Sequence, residues 1–173
     1  MKGQASVREI RIEGDIAFIP LTNGYEAVID SVDVPLVNKW NWSAKVGRHT
    51  VYARRGVNIK GKHRTVKLHR MILSVPDGIE VDHKDGNGLN NRRSNLRPTT
   101  HSQNMCNKSI QSNCKSGIKG VCWQENRKRW RADIRLNGKG KYLGNFLTKE
   151  EAAIAYMEAS NRLHGEYGKT DHR

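Results

Sequence analysis

The chain has 173 residues, room for one ordinary domain or for two to three small ones. Its 31 Lys and Arg against 17 Asp and Glu leave +14, more positive charge than solubility needs and of the sign a phosphate backbone attracts. No apolar run could span a bilayer, no basic helix has a bulky apolar face, and MKGQASVREI lacks a secretion signal's apolar stretch, so a membrane partner is excluded and a cytoplasmic location expected.

The charge runs through the whole chain: residues 1–65, 66–115 and 116–173 carry +5, +4 and +5, a loading that suits contact along an extended polyanion. A nucleic acid is the expected partner, with no obligate protein partner evident. Cys106, Cys114 and Cys122 are odd in number and lack a C-x-x-C pair, so free thiols are expected and zinc is not.

Taken in order, residues 7–30 hold the β-forming runs VREIRIEG, IAFIPLTNG and YEAVID, punctuated at Gly14-Asp15 and Asn23-Gly24. SVDVPLVNKWNW predicts a short helix from Asp33 and Pro35, with Leu36, Val37 and Trp40 at helical spacing. RHTVYARRG and HRTVKLHRMIL resume strand patterns, which makes His69 a structural residue at a strand end. Residues 1–65 are therefore a sheet-rich region of an α+β protein.

Residues 81–104, VDHKDGNGLNNRRSNLRPTTHSQN, carry too little apolar side chain to be explained by packing. The carboxylate of Asp82 and the amide oxygen of Asn104 are hard ligands suited to Mg²⁺ (or Mn²⁺), and two protein ligands leave coordination positions for a phosphate oxygen, a leaving oxygen and waters. His83 beside them can act as base at neutral pH. The Gly- and Asn-rich HKDGNGLNNRRSN predicts a tight loop that Asn95 is placed to hold. Thr99 or Thr100 starts a helix that carries Asn104, with His101 on the same face as a phosphate contact. Arg92 and Arg93 are candidate DNA contacts. The pattern predicts strand, loop, strand and helix around one ion.

MCNKSIQSNCKSG, residues 105–117, has the composition of a linker, in which Lys108 and Lys115 could touch phosphate. GIKGVCW, WRADIRL and KGKYLGNF then predict three antiparallel strands, with a hairpin at Asn137-Gly138. Alternation puts Trp130, Ala132, Ile134 and Leu136 on one face and Arg131, Asp133 and Arg135 on the other. A helix begins at Thr148, with Glu151 completing a capping box, and stops at Gly165.

Asp82-His83, Asn95 twelve residues on and Asn104 nine further, with H-R-M-I before and N-L-R-P between, resemble the HNH endonuclease motif in its phage and intron-encoded homing subgroup. The resemblance implies a ββα-metal unit over residues 66–104, with His83 as general base, Asp82 and Asn104 as metal ligands, and Asn95 holding the loop and the histidine. Asparagine at the last motif position is that subgroup's usage. It implies host-cell cytoplasm as the location of a phage-encoded chain. Residues 118–170, with K-G-V-x-W, W-R-A-D-I-R, Y-L-G-N-F and T-K-E-E-A-A-I-A-Y, resemble the APETALA2-type (ethylene-response-factor) DNA-binding domain, whose sheet lies in the major groove. That implies Arg131 and Arg135 as DNA contacts, helped by Lys119, Arg129 and Lys141. Cys122 and Gln124 stand where plant domains have arginine, so the plant target sequence does not transfer.

Together these readings imply a site-specific, divalent-metal-dependent DNA endonuclease that nicks as a monomer or cuts both strands as a dimer. The rival is a non-catalytic DNA-binding protein with a relict HNH unit.

Overall fold

Strands β1 (Arg11–Glu13), β2 (Ile16–Pro20) and β3 (Glu26–Asp30) form an antiparallel sheet in the order β1-β2-β3, reversing first at Gly14 and Asp15. Every second residue of β2 and β3 points inward, so Ala17, Ile19, Ala27 and Ile29 are buried. The computed structural model describes residues 6–107, 110 and 114–168. It divides into two compact units, one up to Pro98 and one from Thr99.

The helix expected near Asp33 and Pro35 is a single turn, α1 (Val34–Val37), behind a 3-10 turn at Ser31–Asp33. It ends at Asn38, so helical spacing never reaches Trp40. Trp42 enters the core instead, with Nε1 donating to the Val37 carbonyl at 3.2 Å, while Trp40 lies under the Arg55 guanidinium at 3.9 Å. Strands β4 (Ser43–Val46), β5 (Val51–Ile59) and β6 (Lys62–Lys67) make a second antiparallel sheet.

The strand pattern expected through HRTVKLHRMIL breaks after Lys67, where α2 (Leu68–Leu73) begins. Leu68, His69 and Ile72 are all buried, an i, i+1, i+4 set that shares one side of a helix, whereas a strand would turn His69 away from the other two. His69 is therefore a buried helix residue and not the end of a strand.

Strands β7 (Glu80–His83) and β8 (Leu96–Thr99) form a two-stranded sheet enclosing a loop over residues 84–95. One hydrophobic cluster joins Ala17, Ile29, Trp42, Ala53, Leu68, Ile72 and Leu96. The sheet-rich region and the strand pair therefore share a single core, with no boundary at residue 65.

The second unit starts with α3 (His101–Cys106), whose N-terminus has the Thr100 hydroxyl accepting from Gln103 N in a reciprocal capping box. Of the expected linker, residues 108, 109 and 111–113 lie outside the described residues; Cys106 and Ile110 are buried. The three expected strands are β9 (Val121–Gln124), β10 (Arg129–Leu136) and β11 (Lys139–Phe146), in the order β11-β10-β9, covered by α4 (Lys149–His164). Asn137 and Gly138 turn the hairpin with φ of 50° and 78°. Ala132 and Ile134 are buried with Val121, Ala152, Tyr156 and Ala159, whereas Arg135 is exposed, so the alternation in W-R-A-D-I-R holds. Helix α4 opens on the Thr148–Glu151 capping box and closes at Gly165, as expected.

Candidate active site

A loop as polar as residues 84–95 sets only Leu89 against the core, so side-chain hydrogen bonds must define most of its shape. Asn95 is the centre of that network. Its Oδ1 accepts from Asp85 N at 3.1 Å, and its Nδ2 donates to Asp85 Oδ1 at 2.9 Å and to the Asn90 carbonyl at 2.8 Å. Asp85 also accepts from Asn87 N and Asn90 Nδ2. Burial works to raise its pKa, but the Asn87 N–H and the Asn90 and Asn95 amides outweigh that and hold it below the usual value. Gly88 packs directly on β5: a Cβ there would meet the Val51 carbonyl at 2.5 Å, and its N–H donates to Thr50 Oγ1.

The histidine has a partner that the sequence did not disclose. Asn91 is fully buried; its Nδ2 donates to the Gly88 and Leu89 carbonyls at 3.3 and 2.9 Å, which fixes Oδ1 on the other side, 3.4 Å from His83 Nε2. An amide oxygen only accepts, so Nε2 of the neutral ring carries the proton and Nδ1 has the lone pair. His83 is 5% exposed. Burial lowers its pKa against the Asn91 hydrogen bond and the charges of Asp85 and Asp82, keeping the ring neutral at physiological pH. Its ring meets His69 edge-on with centroids 5.1 Å apart, and Tyr52 stands 5.8 Å from both rings. His69 is pushed down to about 3 by burial, with the charges of His83, Lys67 and Arg70 acting the same way.

Asp82, beside His83, is buried and ion-paired. Arg97 donates to its Oδ2 through Nε at 3.0 Å and Nη2 at 2.8 Å. Both bonds fall on one oxygen, so coordination of an ion through Oδ1 would leave them intact.

The first sheet grips the loop. Val28 N donates to the Leu89 carbonyl at 2.8 Å, Asn91 N donates to the Val28 carbonyl at 2.7 Å, and Val28 forms a parallel bridge with Asn90. Arg92 and Arg93, expected to touch DNA, are held inside this unit. Arg92 pairs with Asp30 at 2.8 Å and Asp15 at 2.7 Å; Arg93 pairs with buried Asp33 at 2.7 Å, and its N–H donates to Asp30. The physical reason is proximity: β3 and the turn after it supply Asp30 and Asp33, and the β1–β2 turn supplies Asp15, where the loop returns.

The first unit thus brings together Asp82, His83 and Asn95. Asn104 and His101 lie on α3 in the second unit. Of the expected DNA contacts, Arg135 and Lys141 are exposed and Arg129 is half-buried. Arg131 is clasped by Asp133 at 2.5 and 2.7 Å over the Tyr142 ring, and Lys119 Nζ donates to the Cys106 carbonyl at the end of α3. Sequence reasoning missed Asn91, Arg97 and Tyr52. The Asn90-Asn91 pair was the available signal for the first, because both of its members hydrogen-bond inside a loop with few apolar residues.

A buried Asp-His pair at the mouth of a side-chain-bonded loop, followed by a separate sheet-on-helix unit, defines a nuclease joined to a nucleic-acid reader. Residues 60–106 match the HNH endonuclease family and residues 116–166 the AP2 domain. Among similar proteins, the Uncharacterized HNH endonuclease L560 of Acanthamoeba polyphaga mimivirus is 34% identical over 139 residues, 77% of this chain and 67% of that one. Protein 3.8 of Escherichia phage T7 is 32% identical over 97 residues, 55% of this chain and 78% of that one. DNA endonuclease I-HmuI of Bacillus phage SP01 is 36% identical over 74 residues, 38% of this chain and 42% of that one. No solved structure gives a significant match. The chain belongs to the HNH endonuclease family and is a DNA endonuclease, a phosphodiester hydrolase, with an AP2 domain behind its nuclease unit. Nucleases of this family generally use a divalent metal ion. Among the described residues, no helix is long and apolar enough to cross a membrane.

Proposed function

We propose that this chain is a site-specific, divalent-metal-dependent endonuclease of double-stranded DNA, acting in the host-cell cytoplasm in a homing role. The observation that carries the reading is His83 held by Asn91 at Nε2 beside the Asp82 carboxylate. The donor set fits a hard ion: a carboxylate oxygen of Asp82 and, by the family pattern, the amide oxygen of Asn104, which select Mg²⁺ or Mn²⁺ over zinc. Such an ion would supply charge for the phosphate and the leaving 3′ oxygen. Asp82 and Asn104 would hold it, with Arg97 steadying the carboxylate.

His83 takes the proton of the attacking water at Nδ1 as the water oxygen bonds to phosphorus. The bond from phosphorus to the 3′ oxygen breaks, and that oxygen leaves with a proton from solvent. Asn91 keeps Nε2 protonated throughout, so the lone pair that takes the proton is on Nδ1. Asn95 holds the loop that carries Asn91. The exposed Arg135 and Lys141, with Arg129, Arg131 and Lys119 on the same unit, contribute binding to DNA, and His101 a phosphate contact. One such site serves one strand, so a monomer nicks and double-strand cleavage takes two sites.

The Asp82–Arg97 ion pair favours one rival, a DNA-binding protein in which arginine replaces the ion. Incubating supercoiled plasmid that carries the neighbouring genomic DNA, with and without Mg²⁺, separates the two. Open-circle or linear product that needs Mg²⁺ and is absent with His83→Ala supports the endonuclease; retarded DNA with no cleavage by either protein supports the rival.

A further inference from the structure

The positive charge is far less even than thirds of the chain suggest. Between Asp33 and Asp77 there is no acidic residue, while Lys39, Lys45, Arg48, Arg54, Arg55, Lys60, Lys62, Arg64, Lys67 and Arg70 all fall there. Ten positive charges against a net +14 for the whole chain lie in one stretch. Most of that stretch is the sheet β4–β6.

Strand register sorts these charges by face. Ala44, Ala53 and Val66 face the core, and Arg55 on that same side covers Trp40. The opposite face carries Lys45 paired with Tyr52, and Arg54 paired with Lys67 on one side and Ser43 on the other; Asn58 and His63 extend it. Lys45, Arg54, His63 and Lys67 are all exposed, and among the described residues none of them has an ion-pair partner. Tyr52 joins this face to the candidate catalytic site, since its ring is 5.8 Å from His83. A sheet with one face in the core and the other cationic, running up to the catalytic histidine, matches a polyanion that must reach that histidine.

We propose that this face of β4–β6 is a second DNA-binding surface, on which Lys45, Arg54 and Lys67 hold the phosphates flanking the bond presented to His83. The inference rests on the endonuclease reading only for the choice of DNA as the polyanion. The contacts are to phosphate and not to bases, because they are made by unpaired cations on a flat face and not by buttressed guanidiniums.

The test measures binding, so it does not depend on cleavage. In EDTA, the dissociation constant of the full chain for a short mixed-sequence DNA duplex is followed against salt. Each phosphate contact contributes about 0.9 to the slope of log affinity on log salt. The triple variant Lys45→Gln/Arg54→Gln/Lys67→Gln is expected to lower that slope by about 2.7. Lys60→Gln/Lys62→Gln/Arg64→Gln, with the same charge change at the far end and largely the other face of the sheet, is expected to leave it nearly unchanged. Equal slopes for the first variant and wild type, or equal losses in both variants, overturn the proposal. If the first variant does not fold, wild type decides. DNA should protect Lys45 and Lys67 from amine acetylation, read by mass spectrometry, and leave Lys60 and Lys62 reactive; protection of all four or of none refutes it. Loss of cleavage in His83→Ala tests the endonuclease reading separately.

Discussion

Replacing Arg97 with methionine should cost the first unit more stability than any other single change at the site. The Asp82–Arg97 side chains are 7% and 9% exposed, with two hydrogen bonds on one carboxylate oxygen. Removing one partner of a buried pair leaves an uncompensated charge and costs about 3–5 kcal/mol. A unit of this size moves about 4–8 °C per kcal/mol, so Arg97→Met should lower its melting temperature by about 12 °C or more. Two further measurements separate charge from shape. The double variant Asp82→Leu/Arg97→Met, with no buried charge left, should recover most of the loss. Mg²⁺ should also stabilise Arg97→Met more than wild type, by up to about 2.7 kcal/mol at a hundredfold excess over its dissociation constant, because the ion takes over the vacated charge role. Calorimetry of the full chain measures all three. A loss below about 1 kcal/mol in the single variant, or an equal loss in the double, would refute the buried-pair argument.

Asn91→Ala removes the oxygen that sets the His83 tautomer and leaves the Gly88 and Leu89 carbonyls without their donor. Cleavage should fall at least tenfold with DNA affinity kept, an outcome steady-state kinetics beside a binding assay would show. His69, with its folded pKa near 3 against an unfolded 6.5, binds its proton more readily when unfolded, so stability is full above pH 6.5 and is lost as pH falls toward 3. Metal-free urea titrations should lose up to about 1.4 kcal/mol per pH unit in that window, and His69→Phe should flatten the slope. Gly120 has φ of +73°, and a Cβ there would strike the Tyr156 ring and stand 2.5 Å from the Asp133 carbonyl. Gly120→Ala should therefore destabilise the second unit by about 2–4 kcal/mol, seen as earlier exchange of β10 and α4 amides with β5 unchanged.

Local rules made much of this protein legible from its residues alone. The alternation in W-R-A-D-I-R, the Asn137-Gly138 turn and the Thr148–Glu151 capping box each depend on neighbours a few positions away, and each stands in the structure as expected. The loop-holding place of Asn95 was legible for a different reason: a loop with so little apolar content is shaped by its polar side chains.

What only the tertiary structure decided involves partners distant in sequence. Arg92 and Arg93 read as DNA contacts, and nothing in their spacing showed that the fold would also bring Asp30 and Asp33 to them across 60 or more positions. The H-R-M-I stretch read as strand because Leu68 and Ile72, four apart, share a face in either geometry; the burial of His69 beside Leu68 marks the helix, and only the core shows it. Trp42 and not Trp40 enters the core because α1 is one turn long. A sequence shows which groups a segment offers, but a buried charge, an amide or an indole takes whichever partner the fold brings within about 3 Å, and chain spacing carries no record of that.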